Sequence, residues 1–432
     1  MKLIYRPEID GLRAIAVVAV VLYHAQITIL GHQPFKGGFI GVDIFFVISG
    51  YLITSIILKE LIITGSFSFK YFYERRVRRI LPALLIVMLS SIPLAWMYLI
   101  PTSFTDFSKS IFYSLGFGSN FYFHYSGQAY GAVSGLLTPF LHTWSLSVEE
   151  QFYILFPITL LLSYKYFRKY LIHILILGFV ISLGLAEWSS KNYPSISFYF
   201  LHTRMWELLA GSILSYFEIT IGHRSKYKTL NLILPKVGFL LIILTIIFFK
   251  LYFSHPSLYT LVPVLGVCLI IWFSDKDELI TKILSTKLFV GVGLISYSLY
   301  LWHFPIFAFT RIKNLTHTHM DKFWLIFLSI ILSIITYYFV EQPFRKRKNN
   351  FKFIISLIFF FVSILVIFNF TNIKKDGFKY RLPEILQNNL KEVSPKLKNN
   401  DGVVCHNNII LCKFNISSNR KVYIIGDSHV GT

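Results

Sequence analysis

An arginine and a histidine lie inside the first apolar stretch, in Asp10-Gly11-Leu12-Arg13-Ala14-Ile15-Ala16-Val17-Val18-Ala19-Val20-Val21-Leu22-Tyr23-His24. An ionisable group in hydrocarbon costs at least about 2.5 kcal/mol, so each needs a partner, a wet cavity or a task. On a helix, eleven steps of about 1.5 Å set the two Cα atoms roughly 16 Å apart, about half the thickness of a bilayer core. A guanidinium binds phosphate through its planar fork. An imidazole titrates near neutrality and can take a proton from a nucleophile as it attacks. The pair therefore describes a path: something charged enters near Arg13, and something reactive ends near His24.

Other residues could serve the same chemistry. Arg75-Arg76-Val77-Arg78-Arg79 holds two overlapping i, i+3 pairs, and each could clasp a phosphate from one helix face. A plain cluster of loop cations is the competing explanation for them. Glu149 and Glu150 open an apolar stretch, where carboxylates also suit a helix N-terminus. Glu150 is expected to orient His24 or to bind an acceptor. His142, Glu149, Asp43, Arg204 and Glu207 are expected on the same side as His24, with Asp43 needing a partner and Arg204 and Glu207 spaced to pair with each other. His303 is a second imidazole in an apolar stretch, and Asp10 could pair with Arg13 or with the arginine loop.

These side chains must be held by membrane helices. Of the 432 residues, 55% are hydrophobic and only 15% charged, with a mean hydropathy of +0.60, whereas a soluble domain carries about 25% charged residues. The expected fold is an all-α polytopic membrane protein of about ten helices plus one more leading to an outer tail. Apolar runs lie near 12–30, 39–61, 80–100, 146–164, 171–188, 203–219, 232–253, 257–274, 289–310, 323–342 and 351–370. The aromatic stretch 110–124 could also dip into the membrane. The net charge of +21 is spread over alternate loops and forms no single patch, which argues against a nucleic-acid partner. Lys70 to Arg79, Lys165 to Lys169, Arg224 to Lys228, Lys276 to Lys287 and Arg345 to Lys352 fall on one side; the other offers few cations. That bias puts the N-terminus in the cytoplasm and the tail from about residue 371 outside.

The division expected is 1–345 for the bundle, 346–371 for an additional helix, 372–420 for a linker and 421–432 for the start of a further domain. Cys405 and Cys412 in the linker are either a disulfide in an oxidising compartment or two free thiols. Lys421-Val-Tyr-Ile-Ile-Gly426-Asp427-Ser428-His429 reads as a strand that delivers a serine onto a turn. No metal site is expected.

The motifs, in order, resemble the membrane acyltransferase family 3. They are Tyr5-Arg6-Pro7-Glu8-Ile9-Asp10-Gly11-Leu12-Arg13 with His24, Gly41 to Tyr51, Arg75 to Pro82, His142 to Tyr153, Ser296 to His303, and Val340-Glu341-Gln342-Pro343. The Gly-Asp-Ser-His tip is similar to the start of the SGNH domain that one branch of the family carries. The resemblance implies O-acetylation of a surface glycan such as lipopolysaccharide O-antigen, with peptidoglycan the alternative acceptor. The donor would be cytoplasmic acetyl-CoA, and the protein would sit in the bacterial inner membrane among its lipids. It implies His24 as the catalytic residue, with Arg13, Arg76 and Arg79 binding the donor. Ser428 would be an SGNH nucleophile, vestigial here because the family's downstream Asp-x-x-His does not follow it. The membrane part would then work alone or with a separate periplasmic SGNH-type transferase. The rival classes are an acyl exporter or transporter, and an inactive remnant.

Overall fold

In a bilayer the backbone has no water to bond, so apolar runs close their hydrogen bonds as helices. The computed structural model describes residues 5–29, 31–128, 133–222, 224–249, 254–315, 318–346 and 350–382. Its helices are α1 (Pro7–Ala25), α2 (Gly41–Thr64), α3 (Phe69–Tyr98), α4 (Pro101–Leu115), α5 (Ser119–Ser126), α6 (Thr143–Tyr166), α7 (Leu171–Asn192) and α8 (Pro194–Tyr199). They continue with α9 (Leu201–Ile221), α10 (Lys228–Phe248), α11 (Leu261–Phe273), α12 (Leu279–Leu284), α13 (Lys287–Ile312), α14 (His319–Thr336), α15 (Gln342–Arg345) and α16 (Phe351–Lys374). Among the described residues there is no strand, only an isolated bridge between Ile29 and His32.

The chain is an all-α, multi-pass membrane protein. Eight helical segments, those containing α2, α3, α6, α7, α10, α13, α14 and α16, are long and apolar enough to cross a membrane. The remaining expected stretches are also helical. Of these, α1 carries Glu8, Asp10 and Arg13, α9 carries Arg204, Glu207 and Glu218, and the apolar helix Leu258–Phe273 is short. The aromatic stretch 110–124 is divided between α4 and α5, 15 and 8 residues long, both short of the roughly 20 residues a spanning helix needs.

Close helix packing here depends on missing side chains. A Cβ at Gly50 would collide with the Leu208 carbonyl, and one at Gly211 with the Val47 carbonyl, so α2 and α9 touch backbone to backbone. Gly293 likewise lets α13 reach the Asp10 carbonyl of α1. These contacts lock the helices that carry His24, Asp43, Arg204 and His303.

Ends are tied as firmly. Arg6 bonds the Tyr51 hydroxyl at 2.7 Å and the Ile271 carbonyl at 2.6 Å, pinning the start of α1 to α2 and α11. The Asn372 amide on α16 donates to the Phe104 carbonyl at 2.9 Å and to Ser108 Oγ at 2.8 Å. Arg381 donates to the carbonyls of Trp96 and Leu99 at the corner between α3 and α4. The additional helix expected at 346–371 is thus α16, bound to α4. Cys405, Cys412, Ser428 and the segment 421–432 lie outside the described residues.

Candidate active site

Helix α1 starts at Pro7, whose fixed φ and missing N–H suit a first turn, and ends at Gln26 in a left-handed conformation with φ 50°. It is unbroken between Arg13 and His24, so the two stand about 16 Å apart along one rod. Each end of this rod meets a different environment.

At the Arg13 end, α1, α2, α3, α6 and α13 enclose a cavity lined by Arg13, Arg76 and Arg79. Ser49, Glu149, Tyr153, Ser145, Tyr297 and Tyr300 add polar groups, and Val42, Phe45, Phe46, Ile48 and Leu52 add apolar wall. The loop arginines separate by helical phase. Arg78 turns away, held by Glu74 at 2.9 Å and the Phe344 carbonyl at 3.3 Å, and Arg75 lies 4.0 Å from Glu60. Arg76 lies over the Tyr153 ring at 4.6 Å. Among the described residues neither Arg76 nor Arg79 forms an ion pair, while Arg13 is steadied by Asp10 at 3.2 Å. Asp10 in turn accepts from the Tyr5 hydroxyl at 2.8 Å. Asp10 thus bonds Arg13 rather than the arginine loop.

Arg345 joins this group and was not among the expected site residues. It is an electrostatic neighbour of both Arg13 and Arg79, and Glu341 holds it at 2.5 Å from a π-helical turn, Tyr337–Glu341. Such turns often mark functional positions. The sequence signal was present in Val340-Glu341-Gln342-Pro343. Glu149 bonds Ser49 and Tyr153 within the cavity wall.

Glu150 requires a correction. The charged groups nearest it are Arg76, Glu149 and Arg79, and its Oε1 is buried without a hydrogen-bond partner. It neither orients His24 nor lies on the His24 side. Helix α6 begins at Thr143, so position 150 falls about two turns inside, roughly 10 Å from the helix start.

At the other end three imidazoles gather. His24 Nδ1 lies 3.1 Å from His303 Nε2, with the ring centroids 5.2 Å apart. The His142 ring lies 5.6 Å from that of His303 and stacks on Phe304 at 5.2 Å. Arg311, another residue not anticipated, donates to the His24 carbonyl. Tyr300 stands between the two ends. It lines the cavity, donates its hydroxyl hydrogen to the His142 carbonyl at 2.7 Å, lies 2.6 Å from Ser145 Oγ, and packs its ring 5.5 Å from that of His303.

Asp43, Arg204 and Glu207 form a third group, separate from the cavity lining. Arg204 bonds Asp43 at 2.8 Å, Glu207 at 3.1 Å and the Phe198 carbonyl at 3.2 Å. It lies 5.3 Å from the Trp144 ring and 5.1 Å from the Phe198 ring. His255 Nε2 lies 3.6 Å from Asp43. All three members are buried and form an ion cluster that joins α2 to α9, in which Arg204 and Glu207 pair as their spacing suggested.

The sequence that builds this bundle has counterparts among known proteins. The family profile described as an acyltransferase domain matches residues 6–340. The chain belongs to the acyltransferase 3 family. It is 35% identical over 369 residues to the peptidoglycan O-acetyltransferase OatA of Listeria monocytogenes, covering 81% of this chain and 57% of that one. A putative O-acetyltransferase of Staphylococcus aureus, SAS0844, is 36% identical over 362 residues, covering 80% and 58%. The putative peptidoglycan O-acetyltransferase YrhL of Bacillus subtilis is 32% identical over 365 residues, covering 79% and 55%. The chain therefore spans somewhat more than half the length of the curated relatives it matches. No solved structure matches it. Among the described residues no group of three or more His, Cys, Asp and Glu is arranged to hold a metal ion.

Proposed function

We propose that this chain transfers an acetyl group from cytoplasmic acetyl-CoA to a hydroxyl of a glycan outside the cytoplasmic membrane. The observation that carries the reading is that Arg76 and Arg79, which form no ion pair among the described residues, line a cavity with Arg13 against the helix that bears His24. Arg76 and Arg79 are half-buried and bonded to no carboxylate among the described residues, and a polyphosphate such as coenzyme A would supply the anion. Arg345 would add a fourth charge. The pantetheine arm is comparable in reach to the spacing between Arg13 and His24, and Tyr300 would turn aside to let the acetyl group pass.

In the transfer, the acceptor oxygen bonds to the acetyl carbon and its proton passes to His24 Nε2. The carbon–sulfur bond breaks, and the thiolate of coenzyme A leaves and recovers that proton. The charge bias of the loops supports an N-terminus in the cytoplasm. Peptidoglycan is the acceptor favoured by the names of OatA and YrhL, ahead of the lipopolysaccharide O-antigen suggested by the motifs alone. Where an SGNH-type transferase lies outside the membrane, joined to this sequence or separate, its serine hydroxyl would be the first acceptor and would pass the acetyl group on to the glycan.

The test is expression in a host stripped of its own glycan O-acetyltransferases. Base-labile acetate on purified peptidoglycan, absent from the His24→Ala strain, is expected. Acetate only on lipopolysaccharide would move the acceptor, and equal acetate with and without His24 would overturn the reading.

A further inference from the structure

His303 sits on α13 with no exposure, inside a protein whose proposed base is His24 on α1. Its Nδ1 faces two backbone carbonyls, Tyr300 at 2.7 Å and Leu299 at 3.2 Å. A carbonyl oxygen only accepts, so the nitrogen facing it must carry the hydrogen. In neutral imidazole that leaves Nε2 as the acceptor. The atom 3.1 Å from His303 Nε2 is His24 Nδ1, which must therefore be the donor. His24 is then left with its lone pair on Nε2.

We infer that His303 is a positioning residue that holds His24 in the Nδ1–H tautomer, leaving His24 Nε2 free to take the acceptor's proton. The inference rests on the reading of His24 as the base and names the device that orients it. The second ring nitrogen of a working histidine is generally fixed by the bond its partner makes.

The chain of bonds is anchored in backbone at both ends. Tyr300 and Leu299 fix the His303 ring from its own helix, and Arg311 holds the His24 carbonyl from the last turn of α13. The Phe304 ring, edge-on 4.8 Å from His24, restricts rotation further. When His24 gains the proton, its Nδ1–H still points at His303 Nε2, so the hydrogen bond becomes charge-assisted and strengthens as the reaction proceeds.

The test uses the full chain in nanodiscs, with His303→Leu and His303→Gln. Glutamine can donate from its amide nitrogen to the Tyr300 carbonyl and accept at Oε1 from His24. His303→Leu is expected to lower kcat for acetyl transfer about 100-fold with KM for acetyl-CoA unchanged, and His303→Gln to recover to within about tenfold of wild type. An unchanged kcat in His303→Leu, or a glutamine variant no better than leucine, would overturn the inference. A second readout does not depend on activity. With 15N-labelled histidine, and the His24 resonances assigned by their loss in His24→Ala, Nδ1 of His24 should carry the hydrogen in wild type. In His303→Leu that preference should be lost. A wild-type His24 protonated at Nε2 instead would refute the tautomer assignment even if transfer proceeds. Absence of any transfer alongside the expected nitrogen signature would fault the proposed function and leave the positioning intact.

Discussion

Two groups of arginine in this bundle, one buried and one half-buried, differ in how their charge is answered. Arg204 is enclosed by Asp43, Glu207, a carbonyl and two aromatic rings, and nothing about it is left open to a ligand. Arg76 and Arg79 line a cavity without a carboxylate bonded to them among the described residues. The same residue type serves as scaffold in one place and, under the proposed function, as the receptor for an anion in the other. What separates them is partnering across helices. Desolvating a cation is costly, so an arginine already satisfied holds the fold, while one left unsatisfied is ready for an anion.

Variants can set the two groups against each other. The largest effect should come from Arg204→Met, which leaves Asp43 and Glu207 buried and uncompensated; about 3–5 kcal/mol of stability should be lost. Thermal unfolding in detergent would show it as a large fall in Tm, and an unchanged Tm would remove the contrast. Arg76→Ala and Arg79→Ala should do the reverse. Each should weaken acetyl-CoA binding about 10- to 100-fold, the worth of one charge-assisted contact, with Tm nearly unmoved. Isothermal titration with acetyl-CoA, compared with Arg78→Ala as a paired arginine from the same helix, would measure that difference.

Smaller effects sharpen the picture. Arg345→Gln should reduce acetyl-CoA affinity by about tenfold or less, because Glu341 already draws on its charge. Tyr300→Phe deletes the hydrogen bonds to the His142 carbonyl and Ser145, worth about 1 kcal/mol each. If Tyr300 separates cavity from histidines as proposed, that variant should change the rate of transfer while leaving acetyl-CoA affinity as it was. A parallel loss of affinity would place Tyr300 in the donor site instead.

The all-α membrane fold was legible because apolar runs of spanning length allow few alternatives, and the Arg13 to His24 spacing needed only a continuous helix. Partnering was not legible. Asp43 and Arg204 are 161 positions apart, and no local pattern announces that they meet. The choice of Arg76 and Arg79 over Arg75 and Arg78 depends on how α3 is rotated against its neighbours. Glu150 was misplaced because α6 starts at Thr143, several residues before the apolar run begins, which carries the carboxylate two turns toward the arginines. Arg345 reads in the sequence as a loop cation next to the Val340-Glu341-Gln342-Pro343 motif, and only the π-helical turn brings it beside Arg79.

The proposed function puts donor binding and transfer at opposite ends of α1. The most direct measurement is transfer of labelled acetate from acetyl-CoA to a glycan acceptor by the chain in nanodiscs, made alongside acetyl-CoA binding. His24→Ala should bind acetyl-CoA as wild type does and lose about 10²- to 10⁴-fold in transfer, while Arg76→Ala and Arg79→Ala should lose binding first. His24→Ala transferring at the wild-type rate, or losing binding as the arginine variants do, would contradict the account.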